Sequence, residues 1–190
     1  MQPQEHNNYL LENFETERLR FRKLSWDDFD EWTELFISDD VALFLGMNPN
    51  LSKKELTQQW FDKTMNRYKN MLGSMNVLVD KKLNRLIGQC GLLIQTIEGE
   101  ERLEVGYSIL PEFWQKGYAF EAANACLNCA FENEFADNLI SQIDPRNVGS
   151  EKVARKNGMT LEKTILDKHN APLNIFSIDR ETWLKTRSHG

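Results

Sequence analysis

The 190-residue sequence is short of the residues that build metal centres and disulfide frameworks. Its three histidines, His6, His169 and His189, stand far apart, and its cysteines are only Cys90, Cys126 and Cys129. Cys126 and Cys129 form a C-x-x-C pair with no second pair and no suitably placed histidine, inside a helical pattern, where small residues packing one helix face account for them. No metal site is expected. Positive charge is also scarce. Lys and Arg number 23 against 29 Asp and Glu, for a net charge of −6 and a pI near 5.2. That balance removes the basic footprint of a general nucleic-acid binder and mildly favours a cationic partner. No apolar run reaches the roughly 20 residues that cross a bilayer. The opening "MQPQEHNNYLLENF" has no basic segment followed by an apolar one, so the chain reads as cytoplasmic, with no membrane partner. A G-x-G-x-x-G fingerprint and a P-loop are both missing.

What is present is enough for a core: 41% hydrophobic and 11% aromatic residues, a composition that folds rather than stays disordered. Residues 1–13 are polar and read as a loose arm. Residues 14–190 show no repeat, linker or low-complexity tract and read as one α/β domain. "TERLRFRKL" alternates as a first strand, with Leu19 and Phe21 on one face and Arg18, Arg20 and Arg22 on the other. Ser25 caps an expected helix over "WDDFDEWTELFIS". Ser52 opens a second, with Glu55 completing a capping box. "SMNVLVD" and "RLIGQCGLLIQTI" read as antiparallel neighbours around a Lys81–Asn84 turn. An "EGEER" loop then leads to the strand "LEVGYSIL". A long helix starts near Gly117, followed by the strand "NLISQID", a short helix from Ser150 to Gly158, and closing strands around "TLEKTIL" and "PLNIFSIDRETW". A strand before and after the long helix implies a βαβ crossover in an otherwise antiparallel sheet.

The long helix has no Ser, Thr or Asp cap. A bare helix start exposes four unbonded N–H groups and a positive dipole end, which attract an anion. Gly117 lets the backbone turn in close, Ala119 keeps bulk away and Lys116 adds charge. Glu121 in the first turn is the alternative source of negative charge.

"LEVGYSILPEFWQKGYAFEA" resembles the central strand, pyrophosphate loop and long helix of the GNAT superfamily of N-acetyltransferases, whose loop reads Q/R-x-x-G-x-G/A. It is similar in particular to the RimJ/RimL-like ribosomal-protein-alanine acetyltransferase branch. "FETERLRFRKLSWDDFDEW", "DPRNVGSEKVARKNGMTLE" and "IDRETW" resemble further segments of that branch, in order, over residues of about 14 to 185. Trp114 stands at the loop's first position instead of Gln or Arg, and Gln115 stands where the branch usually has Gly, making the turn less permissive. The resemblance implies an α+β fold: a mixed, mostly antiparallel sheet of six to seven strands, splayed at the crossover, with about four helices.

It also implies acetyl-CoA as cosubstrate and a primary amine as acceptor, on a small molecule or a peptide N-terminus, in a monomer or homodimer. The coenzyme would meet Val105, Tyr107 and Ile109 on the central strand, and Gln115, Lys116, Gly117, Tyr118, Ala119 and Phe120 at the loop. Asn147, Ser150, Lys152 and Arg155 would meet it on the short helix. Glu104 alternates away from the apolar set Leu103, Val105, Tyr107 and Ile109, and is the candidate general base, acting directly or through water. Ser150 or water is the candidate acid; read locally, Ser150 is a cap and Asn147 a turn residue. A catalytically silent acyl-CoA-binding module with the same fold is the alternative.

Overall fold

The computed structural model describes residues 9–187, apart from the side chain of Asp39. Seven strands form one sheet in the order β1-β2-β3-β4-β5-β7-β6. They are β1 (Leu19–Arg22), β2 (Gly73–Asp80), β3 (Arg85–Ile97), β4 (Glu100–Ile109), β5 (Asn138–Ile143), β6 (Thr160–Leu166) and β7 (Pro172–Asp179). Every neighbouring pair is antiparallel except β4 and β5. The helices are α1 (Phe29–Trp32), α2 (Asp39–Phe44), α3 (Lys53–Lys69), α4 (Tyr118–Glu132), α5 (Val148–Lys156) and α6 (Arg180–Arg187). Among the described residues no helix is long and apolar enough to cross a membrane.

Strand β3 is buried along most of its length, as expected for a central strand covered on both faces. One cover is α4, whose inward face carries Ala122, Ala123, Cys126, Leu127, Ala130 and Phe131. Those small residues let the helix approach closely, and Cys90 Sγ on β3 lies 3.5 Å from Cys126 Sγ. The other cover is α3, packed through Leu56, Phe61, Thr64 and Arg67. The Ser52–Glu55 capping box at its start is formed.

Several sequence expectations are corrected. The expected first helix is broken: a 3-10 turn precedes α1, another spans Thr33–Ile37, and Phe36 leaves helical geometry before α2 begins. Trp32, Leu35 and Phe36 are all buried, so packing overrides a continuous helix there. The "EGEER" loop shrinks to a tight turn at Glu98 and Gly99, both at positive φ, with Ile97 facing Glu100 across the hairpin. Positive φ at both turn positions matches the twist of the flanking strands. The last strand stops at Asp179, whose carboxylate accepts from the Thr182 amide at 2.7 Å and so starts a helix over the stretch read as strand. Of the expected arm, residues 1–8 lie outside the described residues. Residues 9–13 are packed: Leu11 is buried, its amide donates to Asn76 Oδ1 at 3.1 Å, and Tyr9 meets the Phe135 ring edge-on at 5.4 Å.

Candidate active site

The parallel pairing of β4 with β5 lasts two residues, Leu103 with Leu139 and Glu104 with Ile140. Beyond it the strands part. Side chains take over the ladder at that point: Ser141 Oγ donates to the Val105 carbonyl at 2.7 Å, and the Gln142 amide donates to Glu104 Oε1 at 3.2 Å. The first of these bonds turns the main chain of Val105 toward β5, and alternation gives Tyr107 and Ile109 the same direction. The cleft left between the strands measures about 80 Å³, and Glu104, Tyr107, Gln142 and Ser150 are among the residues lining it.

Glu104 is buried at 8% exposure, on the sheet face opposite Val105. Its carboxylate accepts from Gln95 Nε2 at 2.5 Å and from Gln142 Nε2 at 3.1 Å, as well as from the Gln142 amide. These neutral donors fix its position without an ion pair. Ser150 lies across the same cleft. The side chains of Val105 and Ile109 are core, so what these two positions present toward the gap is main chain. The Ile109 carbonyl is taken by the Trp114 indole N–H at 2.7 Å. The Tyr107 hydroxyl donates to the Ser150 carbonyl at 2.8 Å, tying β4 to α5; burial pushes this phenol far above its ordinary pKa.

Gly117 caps α4 at φ 82°, and no side chain bonds that cap. The turn before it is held from outside. Arg18 Nη1 donates to the Lys116 carbonyl at 2.9 Å, and the Tyr118 hydroxyl donates to Asp80 Oδ2 at 2.7 Å. The turn forms with Gln115 itself at φ 61°, a conformation that costs a non-glycine residue about 1–2 kcal/mol and is sustained by these anchors. Glu121 does not fill the helix start. Its carboxylate accepts from Thr16 Oγ1 at 2.5 Å, the Arg18 amide at 2.9 Å and Arg18 Nε at 2.5 Å. Ala119 and Phe120 lie in the same first turn.

The short helix α5 begins at Val148, not Ser150, because Asn147 is the cap: its Oδ1 accepts from the Ser150 amide at 3.0 Å. The oxygen of Asn147 is thereby occupied, and its amide nitrogen remains the group that can reach a ligand. The expected cations divide. Lys116 Nζ turns back to the Glu112 carbonyl at 2.9 Å, Arg155 pairs with Glu151 at 2.8 Å, and Lys152 is exposed. Lys156 instead sits over the Phe120 ring at 4.1 Å, the cation of α5 beside the start of α4. Lys156 belongs to the same basic cluster of the short helix that the sequence shows, whereas the placements of Arg18, Gln95, Gln142 and Ser141 rest on partners distant in sequence and have no local signature. Among the described residues no group of three or more His, Cys, Asp or Glu side chains is placed to hold a metal.

Residues 18–160 match the family model described as an acetyltransferase (GNAT) domain. The chain belongs to the GNAT acetyltransferase family. The uncharacterized protein YkkB of Bacillus subtilis (strain 168) is 34% identical over 164 residues, covering 85% of this chain and 92% of YkkB. The crystal structure of an acetyltransferase from Agrobacterium tumefaciens str. C58 superposes with a TM-score of 0.72 at 24% identity, covering 88% of this chain and 94% of that one. The ribosomal-protein-S5-alanine acetyltransferase of Vibrio fischeri shares the fold at a TM-score of 0.65 and 21% identity, covering 90% of this chain and 97% of that one. The splayed βαβ crossover is thus that of a GNAT sheet, and the chain is an enzyme of acyl transfer to amines.

Proposed function

We propose that this GNAT enzyme transfers an acetyl group from acetyl-CoA to a primary amine by direct attack within a ternary complex. The observation that carries the reading is the placement of Glu104 and Ser150 on one cleft in the splay between β4 and β5. The start of α4, which no side chain caps, follows directly on β4 by way of the Trp114–Gly117 turn.

Acetyl-CoA supplies the thioester acyl donor. The residues present fit it: the amides of the Gln115–Phe120 turn receive the pyrophosphate, aided by Lys156 and the exposed Lys152. Charge-assisted bonds of this kind contribute about 1.5–3 kcal/mol each. The Asn147 amide nitrogen and the main chain of Tyr107 hold the pantetheine arm and the acyl carbonyl. Glu104 takes the proton of the incoming ammonium or amine, directly or through one water. A C–N bond forms, the C–S bond breaks, and the sulfur leaves protonated by Ser150 or water. Cytoplasmic action suits a chain whose three cysteines, Cys90, Cys126 and Cys129, make no disulfide framework in their spacing.

Calorimetric titration with acetyl-CoA, followed by an amine screen read by free thiol, tests this. Micromolar binding and amine-dependent thiol release are expected. Binding with no thiol release from any amine would mark a silent acyl-CoA module instead, and no binding at all would remove the coenzyme assignment.

A further inference from the structure

Side chains alternate along β4, so Glu104 shares its sheet face with Gly106 and not with Val105 and Tyr107. Helix α4 covers the face of Tyr107, where its register partner Cys90 meets Cys126. An amine that gives its proton to Glu104 therefore arrives on the face opposite α4. Three register partners cross that face in a row: Met75 on β2, Gly91 on β3 and Gly106 on β4. The two glycines leave the row bare, and Met75 fills it. A Cβ on Gly106 would meet Met75 Cε at 2.7 Å and Leu93 Cδ1 at 2.9 Å. The Met75 side chain thus reaches across two strand spacings, roughly 10 Å, which suits a long, unbranched thioether. A Cβ on Gly91 would stand 2.2 Å from the Ser74 carbonyl oxygen and 2.7 Å from Met75 Cα, so only glycine lets β2 come this close.

Met75 and Leu45, both half-buried, line the cleft together with Glu104 and Gly106. Among the described residues that line it, Glu104 is the one carboxylate, and none is Lys, Arg or His. A second ammonium or a carboxylate on the acceptor would enter without a counter-charge, which is costly. The neutral donors of the lining are turned to the protein itself. Tyr107 donates to the Ser150 carbonyl, Ser141 to the Val105 carbonyl and Gln142 to Glu104. A peptide carbonyl two bonds from its amine would find the apolar side chains of Met75 and Leu45 instead of a donor, and a carbonyl buried unpaired is a loss.

We propose that Met75 determines acceptor specificity, and that the acceptor is a small primary monoamine. Its uncharged, unbranched alkyl skeleton packs against Met75 and Leu45 while its nitrogen meets Glu104. This assignment, made for the same cleft, rests on the acetyl-transfer reading. The overall acidity of the chain describes the surface average, whereas selection among amines follows the side chains at the opening.

The test measures thiol release from acetyl-CoA with n-alkylamines of graded length. Each is set beside its branched isomer, the diamine and the ω-amino acid of matching length, and a short peptide with a free N-terminus. The n-alkylamines should exceed every other class in kcat/KM by about tenfold. Met75→Ala empties the row over the glycines: KM for n-alkylamines should rise about tenfold and the branched isomers should gain by a similar factor, with coenzyme affinity unchanged. Met75→Leu, too short to reach Gly106, should move the ranking the same way by a smaller factor. Met75→Glu should turn it toward diamines by supplying a counter-charge. Circular dichroism and calorimetric titration with acetyl-CoA check that each variant folds. A wild-type preference for branched amines, diamines, amino acids or the peptide overturns the acceptor class while leaving acetyl transfer intact. A size ranking that neither Met75→Ala nor Met75→Leu moves overturns the role of Met75. Thiol release from no class overturns the acetyl-transfer reading itself.

Discussion

Arg18 and Glu121 are joined across 103 positions of chain, with Nε donating to Oε2 at 2.5 Å. The bond steers the first acidic side chain of α4 toward β1 and away from the helix amides. It also leaves Arg18 Nη1 to hold the Lys116 carbonyl, so one side chain clears the proposed anion site and fixes its turn.

Arg18→Ala should therefore weaken coenzyme binding without unfolding the protein. A loss of about tenfold, roughly 1.4 kcal/mol, is expected in calorimetric titration with acetyl-CoA. Arg18→Lys should recover little of it, because a point ammonium cannot bond the carboxylate and the carbonyl together as a guanidinium does. Affinity within twofold of wild type in the alanine variant would show that the turn holds its shape unaided.

The same carboxyl gives a pH signature. Burial alone would raise its pKa, but the bonds from Thr16 and Arg18 and the Arg18 charge take it below its ordinary value of 4.5. A group whose pKa is depressed by folding contributes stability that is full above its unfolded value and fades as pH falls through the folded one. The gap in urea midpoint between wild type and Glu121→Gln should thus be widest near neutrality and close below about pH 4.5. A gap that stays constant to pH 3 would contradict this assignment.

Gly117 is at φ 82°, and a Cβ there would come within 3.4 Å of Arg18 Nη2. Gly117→Ala should cost about 1–2 kcal/mol for the left-handed backbone, read by urea denaturation, and should weaken coenzyme binding because the strained main chain shifts the amides of the turn. Unaltered stability would mean that the turn relaxes to a different conformation.

Three substitutions in the cleft separate chemistry from scaffolding. Glu104→Gln should lower turnover about 10²–10³-fold, with coenzyme affinity unchanged. Ser150→Ala should lower turnover by about tenfold if water replaces it as acid. Tyr107→Phe removes the bond to the Ser150 carbonyl and should cost about 0.5–1.5 kcal/mol of stability, with turnover largely kept. A larger kinetic loss in Tyr107→Phe than in Ser150→Ala would move the acid role to the phenol.

The periodic parts of this fold were legible because burial imposes period on sequence. Strands β2 and β3, the capping box of α3 and the apolar face of α4 all show it. What was hidden had its cause elsewhere. The polar run Glu100–Glu101–Arg102 is strand only because β3 pairs with it. The first helix breaks because Trp32, Leu35 and Phe36 are drawn to separate core contacts. At the site, the motif residues around Gly117 and Asn147 were readable, but the donors to Glu104 were not. Gln95 and Gln142 converge on it from β3 and β5, and nothing in their local sequence marks them.

The seam between β4 and β5 is kept ajar by the chain itself: Ser141 holds one end at Val105 and Trp114 holds the other at Ile109. A proposed berth that already stands ajar should impose no opening delay. Coenzyme capture should follow one exponential whose rate climbs linearly with ligand concentration, without the plateau that a gating step would impose.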